Sequence, residues 1–417
     1  MLNIKVIGIG AAGNRAAIRL IESNIIPRKN IMLLNSTSKD VPDKYRDDFF
    51  YEFGNVRGCG KERELAHDMM VKALSNNEIP MEEFVDGDEK FFVIVSSTEG
   101  GTGSGSSILL GEYLQEITGA PVHMVALVGF EDDVRGLKNT VDWFNSLNNK
   151  FIVQAISNKK CLKFTNNNRK KAEIYANDIF VKRIAVLTGK YIDPSEDNMD
   201  DMDLFKLNAI PGYMSVEMIN LERIKNNDQF NEIIKNMLEN SVSLDTEPSV
   251  QRLGVIVNAS AKTIQSIDTS YDLIKEKFGF PLELFTHTQE AAGIDDNISV
   301  VAAGLKLPID EIKTVYTKFK RQMEKIDLSQ DAFLGASNSF NTSFGKSGFD
   351  VGSFARRPTN LDQNQMKTKK SSFFSKYGIK SKDTNSQQQT TTQPPKEEHV
   401  AKTTVVIGQA FDPDNNI

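Results

Sequence analysis

Two short stretches of this 417-residue chain hold residue types suited to chemistry. In SSTEGGTGSGSSILLGEYL, Ser96 to Leu114, four glycines (Gly100, Gly101, Gly103 and Gly105) fall within six residues, with Thr102 and Ser104 between them. Glycine is costly to order and adds no side-chain contact, so such a run marks a sharp turn or a ligand in close approach to the backbone. Small residues opening a helix leave successive N–H groups free to surround a phosphate, with the helix dipole behind them and two hydroxyls as further donors. A flexible Gly/Ser connection is the plainer reading, but it suits poorly a junction between an apolar strand and an apolar helix. The second stretch, SEDNMDDMD (Ser195–Asp203), sets Asn198, Asp200 and Asp203 in an N-x-D-x-x-D register. Its plainer reading is an acidic, solvated loop.

A second glycine loop, GIGAAGN, places Gly8, Gly10 and Gly13 in the G-x-G-x-x-G spacing of dinucleotide-binding turns. That fingerprint also needs an acid about 20 residues on, at the end of the second strand, to hold the ribose. Here the strand ends Leu34-Asn35-Ser36-Thr37, which weakens a nicotinamide-dependent oxidoreductase without removing it. GNVRGCGKER carries Gly60-Lys61, but Asn55 stands where the first P-loop glycine belongs and Glu62 where the metal-binding Ser or Thr belongs.

These loops need a scaffold, and the flanking pattern supplies one. Apolar strand-like runs (NIKVIGIG, NIMLLNS, KFFVIVSS, PVHMVALVGF, KFIVQAIS) alternate with helical runs through residue 158. Strands apolar on both faces, alternating with helices, indicate an α/β domain with a Rossmann-like parallel sheet. A long helix is predicted over 168–190, then a smaller α/β unit containing RLGVIVNAS, NISVVAAGL and the helix LPIDEIKTVYTKFKRQMEKI. The boundaries read 1–167, a central helix over 168–192, 193–328 and a tail over 329–417. After Ser329 the composition turns to Ser, Asn, Gln, Thr and Lys, which reads as disordered.

The net charge is −6, but residues 354–382 carry eight Lys/Arg and one Asp, or +7, leaving −13 on the remainder. An acidic body argues against coating nucleic acid; the basic tail is a separate matter. Two cysteines and four scattered histidines offer neither a disulfide framework nor metal-ligand spacing. No secretory signal or membrane-length apolar run is visible, so a cytoplasmic protein is expected.

EGGTGSG (Glu99–Gly105) resembles the G-G-G-T-G-[ST]-G signature loop of the tubulin/FtsZ superfamily, with Glu99 in place of the first glycine. Further loops resemble that family in its order. GIGAAGN resembles the first phosphate loop, and FEDDVR (130–135) the F-E-G-x-x-R loop with Asp132 for glycine. SNKKCL (157–162) follows the fifth strand, YANDIF (175–180) resembles the A-N-D motif of the central helix, and SEDNMDDMD the catalytic loop with Ser195 for glycine. The resemblance covers residues 3–320.

It implies GTP/GDP with Mg2+, and a cradle of Gly10, Ala11, Ala12, Asn14, Gly100, Gly101, Thr102, Gly103, Ser104 and Gly105. Asp178 can accept from the N1–H and 2-amino groups of guanine, a donor pair adenine lacks. Asn177 or Asn158 completes base or ribose contacts. Glu131 and Arg135 lie near ribose and phosphate by resemblance, or form a helix-surface ion pair. Asn198, Asp200 and Asp203 are the implied catalytic set, reaching the γ-phosphate of the neighbouring subunit. A contact of that kind is heterologous and does not close, which makes a filament.

The acid-rich hydrophobic tail of the division proteins is not evident. The basic, aromatic-bearing tail resembles the TubZ-type GTPases of plasmids and phages, in which such a tail engages a DNA-bound adaptor. Direct phosphate contact, or a merely solubilising tail, are the other readings. Glu99 and Asp132 near a triphosphate suggest metal assistance or side chains turned to solvent. A division-type GTPase, a non-catalytic nucleotide-binding scaffold and the oxidoreductase are the alternative functions.

Overall fold

Buried apolar runs make the sheet. In the computed structural model, which describes residues 1–54, 58–192, 199–221, 224, 226–290, 296–326 and 363–379, the first six strands are β1 (Ile4–Ile9), β2 (Ile31–Asn35), β3 (Phe50–Glu52), β4 (Phe91–Ser97), β5 (Val122–Val128) and β6 (Ile152–Ser157). They pair in parallel in the order β3-β2-β1-β4-β5-β6. β1, β2, β5 and β6 are buried along their whole length, because helices cover both faces.

The sheet continues into β7 (Gly212–Asn220), β8 (Arg252–Ala259), β9 (Glu283–Glu290) and β10 (Asn297–Leu305), in the order β7-β10-β8-β9. β10 runs antiparallel to both neighbours. β6 joins β7 through two residue pairs alone, Ile152 with Gly212 and Val153 with Tyr213, so the seam between the two halves is narrow.

Helices α1 (Gly10–Ser23), α2 (Arg63–Ser75), α3 (Met81–Phe84), α4 (Thr102–Thr118), α5 (Val134–Asn145), α6 (Asn158–Cys161), α7 (Arg169–Leu187), α8 (Asp201–Asn208), α9 (Asn227–Glu239), α10 (Ala261–Ile264), α11 (Asp272–Phe278) and α12 (Ile309–Ile326) fill the connections. α7 lies with α1 and α8 over one face, around Phe180, Ile184 and Leu187. α2 and α4 line the other, around Met70, Tyr113 and Leu114.

One expectation is corrected here. Within the tail read as disordered, Gln363–Ser375 forms a helix, α13, packed on α4. Met366, Phe373 and Phe374 are buried, and the Phe373 ring meets Tyr113 edge-on at 5.4 Å between centroids. Three apolar side chains spaced i, i+7 and i+8 make one helical stripe, hidden in composition by the surrounding lysines and serines. Among the described residues of the tail, Lys370 pairs with Glu82 at 3.1 Å and Lys376 with Glu116 at 3.7 Å, so these cations are spent within the fold. No helix among the described residues is long and apolar enough to cross a membrane.

Candidate nucleotide site

The two glycine loops meet. Gly10 has φ +73°, and a Cβ on it would sit 3.0 Å from the Gly103 nitrogen. Gly13 presses on the Val95 carbonyl, Gly101 on the Lys61–Glu62 backbone and Gly105 on the Arg63 carbonyl, each too close for a side chain. Gly100 instead faces open space. These contacts set the starts of α1 and α4 side by side at the carboxyl ends of β1 and β4. Neither helix has a side-chain cap, and neither carries an acid in its first turn. Their first N–H groups therefore have no intrahelical partner, which makes an anion cradle. Ala11, Ala12 and Thr102 are half-buried at its lip.

Other expected contributors are turned inward. The Asn14 amide donates to the Leu34 carbonyl at 3.1 Å while its Oδ1 lacks a partner. The Ser104 hydroxyl donates to the Gly100 carbonyl, and Thr102 Oγ1 lies 2.7 Å from Ser36 Oγ. That Ser36 contact occupies the end of β2, where a dinucleotide fold would hold ribose with an acid.

The loop after β5 closes one side. Glu131 and Arg135 do not pair with each other, which corrects the reading of a helix-surface ion pair: Glu131 lies ahead of α5, with φ +61°. Its carboxylate instead receives Lys159 at 2.9 Å and Lys318 at 3.0 Å, while Arg135 pairs with Glu62 at 2.5 Å. Of the two acids at usual glycine positions, Glu99 is turned into the fold while Asp132 stays exposed in a surface ion pair. Asp132 holds Arg169 at 2.8 Å, and Glu99 accepts the Glu131 backbone N–H at 2.8 Å. Burial pushes the Glu99 carboxyl above its usual range. Asn158 opens α6 with a buried Oδ1 that has no partner, so an acceptor is left over at this rim. Asn177 and Asp178 are half-buried on α7, and Asp178 accepts Arg19 Nε at 2.6 Å.

The acidic stretch lies elsewhere. α7 starts beside the cradle, where Arg169 meets Asp132. It ends near the start of β1, where the Thr188 carbonyl accepts the Leu2 N–H at 2.9 Å. Nineteen residues at a rise of about 1.5 Å separate those ends by roughly 28 Å. Asp200 and Asp203 belong to the far end. Asp200 caps α8 and Asp203 lies in its first turn; the last residue of α8, Asn208, donates to the Leu187 carbonyl at 3.2 Å and accepts from His123, at the start of β5, at 2.8 Å. Asp200 is exposed and caps α8, its Oδ1 accepting the Asp203 N–H at 2.8 Å. Asn198 and Ser195 lie outside the described residues.

No family model matches the chain. The chain is 24 % identical over 317 residues to the cell division protein FtsZ of Mycoplasmopsis pulmonis (strain UAB CTIP), spanning 73 % of this chain and 77 % of that protein. CetZ2 of Haloferax volcanii, solved as a GTPγS-bound protofilament, superimposes with a TM-score of 0.65 at 14 % identity, over 78 % of this chain and 100 % of that one. TubZ of Clostridium botulinum phage c-st gives 0.61 at 16 %, over 78 % and 98 %. The fold is that of the tubulin/FtsZ superfamily.

Within this tubulin/FtsZ-like frame, two organising residues escaped the sequence reading. Asn139 on α5 is buried and donates to the carbonyls of Lys61 at 3.0 Å and Glu99 at 3.1 Å, holding the glycine loop from behind. Its only sequence signal is a polar residue on the apolar face of an amphipathic helix. Arg19 on α1, which meets Asp178, has no motif at all. Among the described residues no group of three or more His, Cys, Asp or Glu side chains is placed to hold a metal ion.

Proposed function

We propose that this chain is a GTP phosphohydrolase that polymerises head to tail, the nucleotide held by one copy and hydrolysis completed by the next. The observation that carries this reading is the separation of parts: an anion cradle at one end of α7 and an acidic helix start at the other, about 28 Å away. No rotamer of Asp200 or Asp203 spans that distance, whereas a second copy stacked along α7 brings its acids to the first copy's cradle. The nucleotide-bound protofilament state of CetZ2 supports the same arrangement.

The backbone N–H groups of 10–12 and 102–104 would take the phosphates, and Glu131 and Arg135 would face ribose and phosphate. Asp178, with Asn177 or Asn158, would read guanine. Mg2+ travels with a triphosphate and takes most of its ligands from phosphate oxygen and water. Asp200, Asp203 and Asn198 would orient the attacking water, the positioning that phosphoryl transfer requires. On this reading 1–167 is the GTP-binding domain, 168–192 the central helix and 193–328 the activation domain.

The finer reading is a TubZ-type role in plasmid or phage DNA segregation, with 354–382 contacting a DNA-bound adaptor; a division-type role is the alternative, favoured by the FtsZ similarity. Because α13 is docked, the truncation that separates them must fall after Ile379 and be compared with Arg356/Arg357→Ala. DNA-adaptor binding unchanged in both removes the recruitment reading. The whole proposal is tested by GTP turnover per subunit against protein concentration, alongside light scattering. Turnover rising steeply above a threshold with GTP and not ATP is expected; turnover independent of concentration refutes completion in trans.

A further inference from the structure

Glu99 bridges two loops of the candidate site. Its Oε1 accepts the Glu131 N–H at 2.8 Å. Gly129 and Gly136 make room for it: a Cβ on Gly129 would lie 2.0 Å from Glu99 Oε2, and one on Gly136 3.3 Å from Glu99 Cβ. Among the described residues no cation pairs with Glu99. Lys61, whose positive field favours the charged form, is itself held by Asp133, and Asp132 is taken by Arg169. The half-buried carboxylate is thus spent on one backbone N–H.

That N–H belongs to a residue in the left-handed region, which a non-glycine residue holds only where its surroundings fix it. A second tie comes from the opposite side. Lys318 Nζ donates to the Glu131 carbonyl at 2.7 Å and to its Oε2 at 3.0 Å. Lys318 lies on α12, which packs on α5 through Val315 and Phe319 against Leu137 and Val141.

We propose that Glu99 is a positioning residue: it fixes the Glu131 backbone to the phosphate loop and, with Lys318, makes residues 129–135 the tether between the cradle and α12. A glycine at 99, as in the resembled signature, cannot do this. The proposal rests on reading this site as the nucleotide site, and its consequence is that nucleotide ordering 99–105 also protects 130–136 and the α12 surface facing it.

Amide hydrogen exchange of the full chain, read by mass spectrometry, and affinity for a fluorescent GTP analogue decide it for wild type, Glu99→Ala, Glu99→Gln and Lys318→Met. Glu99→Ala speeds exchange over 130–136 and weakens the analogue, each by roughly tenfold, the size of one lost hydrogen bond to a buried donor, while Glu99→Gln keeps the acceptor and stays within about twofold of wild type. Lys318→Met, a change at a half-exposed side chain, speeds exchange over 130–136 without altering 10–14. The proposal is overturned if Glu99→Gln is as damaging as Glu99→Ala, or if Lys318→Met leaves 130–136 at the wild-type rate. Failure of wild type to bind the analogue refutes the nucleotide reading alone, because the exchange comparison still decides the tether.

Discussion

Asp178 is the sharpest test of base recognition. Its carboxylate already holds Arg19 at 2.6 Å, with 36 % of the Asp178 side chain exposed, so guanine must open that pair to reach it. An exposed ion pair is worth about 0.2–1 kcal/mol. Two charge-assisted bonds from N1–H and the 2-amino group contribute about 1.5 kcal/mol each at the low end of their range. Taking off up to about 1 kcal/mol for the opened pair leaves roughly 2 kcal/mol, so Asp178→Ala weakens GTP about thirtyfold. Inosine triphosphate lacks the 2-amino donor and forfeits one bond, so wild type prefers GTP over it by about tenfold while Asp178→Ala barely distinguishes them. Arg19→Leu removes the competitor and tightens GTP by up to about fivefold. Competitive displacement of a fluorescent GTP analogue by GTP, ITP and ATP measures all three. If Asp178→Ala retains the wild-type GTP-to-ITP ratio, the base lies elsewhere and the assignment of Asp178 is wrong.

Asp200 combines a capping bond with a proposed catalytic charge, and asparagine separates them: Asp200→Asn keeps the wild-type melting temperature, whereas Asp200→Ala loses about 1 kcal/mol of capping. Both variants, and Asp203→Ala, lower GTP turnover by roughly a hundredfold and leave filaments that persist in light scattering; rapid disassembly would defeat the catalytic role. Phe373→Ala and Phe374→Ala each delete a buried ring from α13, a change costing about 3–5 kcal/mol in a fixed core. α13, docked on α4 through these rings, undocks instead, so the double variant melts within about 0.5 kcal/mol of the worse single one and limited proteolysis cuts in 363–379; fully additive losses would show that α13 cannot detach. His123 is fully buried, and burial lowers its pKa to about 4. The unfolded chain then binds the extra proton between about pH 6.5 and 4, so stability is lost as pH falls through that window, by up to roughly 3 kcal/mol. Denaturant melts of wild type and His123→Gln at pH 7 and 4.5 check this, and an equal acid loss in both would assign it to other groups.

The sheet of the first half was legible because a parallel strand buried on both faces is apolar throughout, and β1, β2, β4, β5 and β6 are all such runs. β7 and β9 were not: GYMSVEMIN mixes in polar residues that are satisfied by tertiary neighbours, and ELFTHTQE is an edge strand left mostly exposed or half-buried. Glu217 on β7, for example, is buried because Ser215, Ser241 and Ser243 all donate to it. The glycine loops were legible as a cradle, but which glycines serve packing was not. Gly13, Gly101 and Gly105 are excluded from side chains by backbone of other segments, whereas Gly100 alone among the four of its loop opens to space. Spacing along a chain says nothing about such approaches.

Side-chain direction is the deeper loss. In sequence, Glu99 and Asp132 suggest metal assistance or side chains turned to solvent, and Asp133 stands beside them. In the fold each is turned to its own partner: the Glu131 N–H, Arg169, and Lys61 with the Gly136 N–H. The loop can therefore carry four acids within reach of a phosphate cradle, because three are neutralised by cations and the fourth is bonded inside, its acidity weakened by burial. The opposite holds at Asp200, Asp201 and Asp203, where among the described residues only Asp203 has an ion-pair partner, Lys206 at 3.6 Å. Asp200 and Asp201 are exposed at the helix start, where they face the outside of the chain. On the proposed head-to-tail reading, the partner that answers that charge is a copy of the same chain presenting its cradle, through a metal-bearing triphosphate rather than through a side chain.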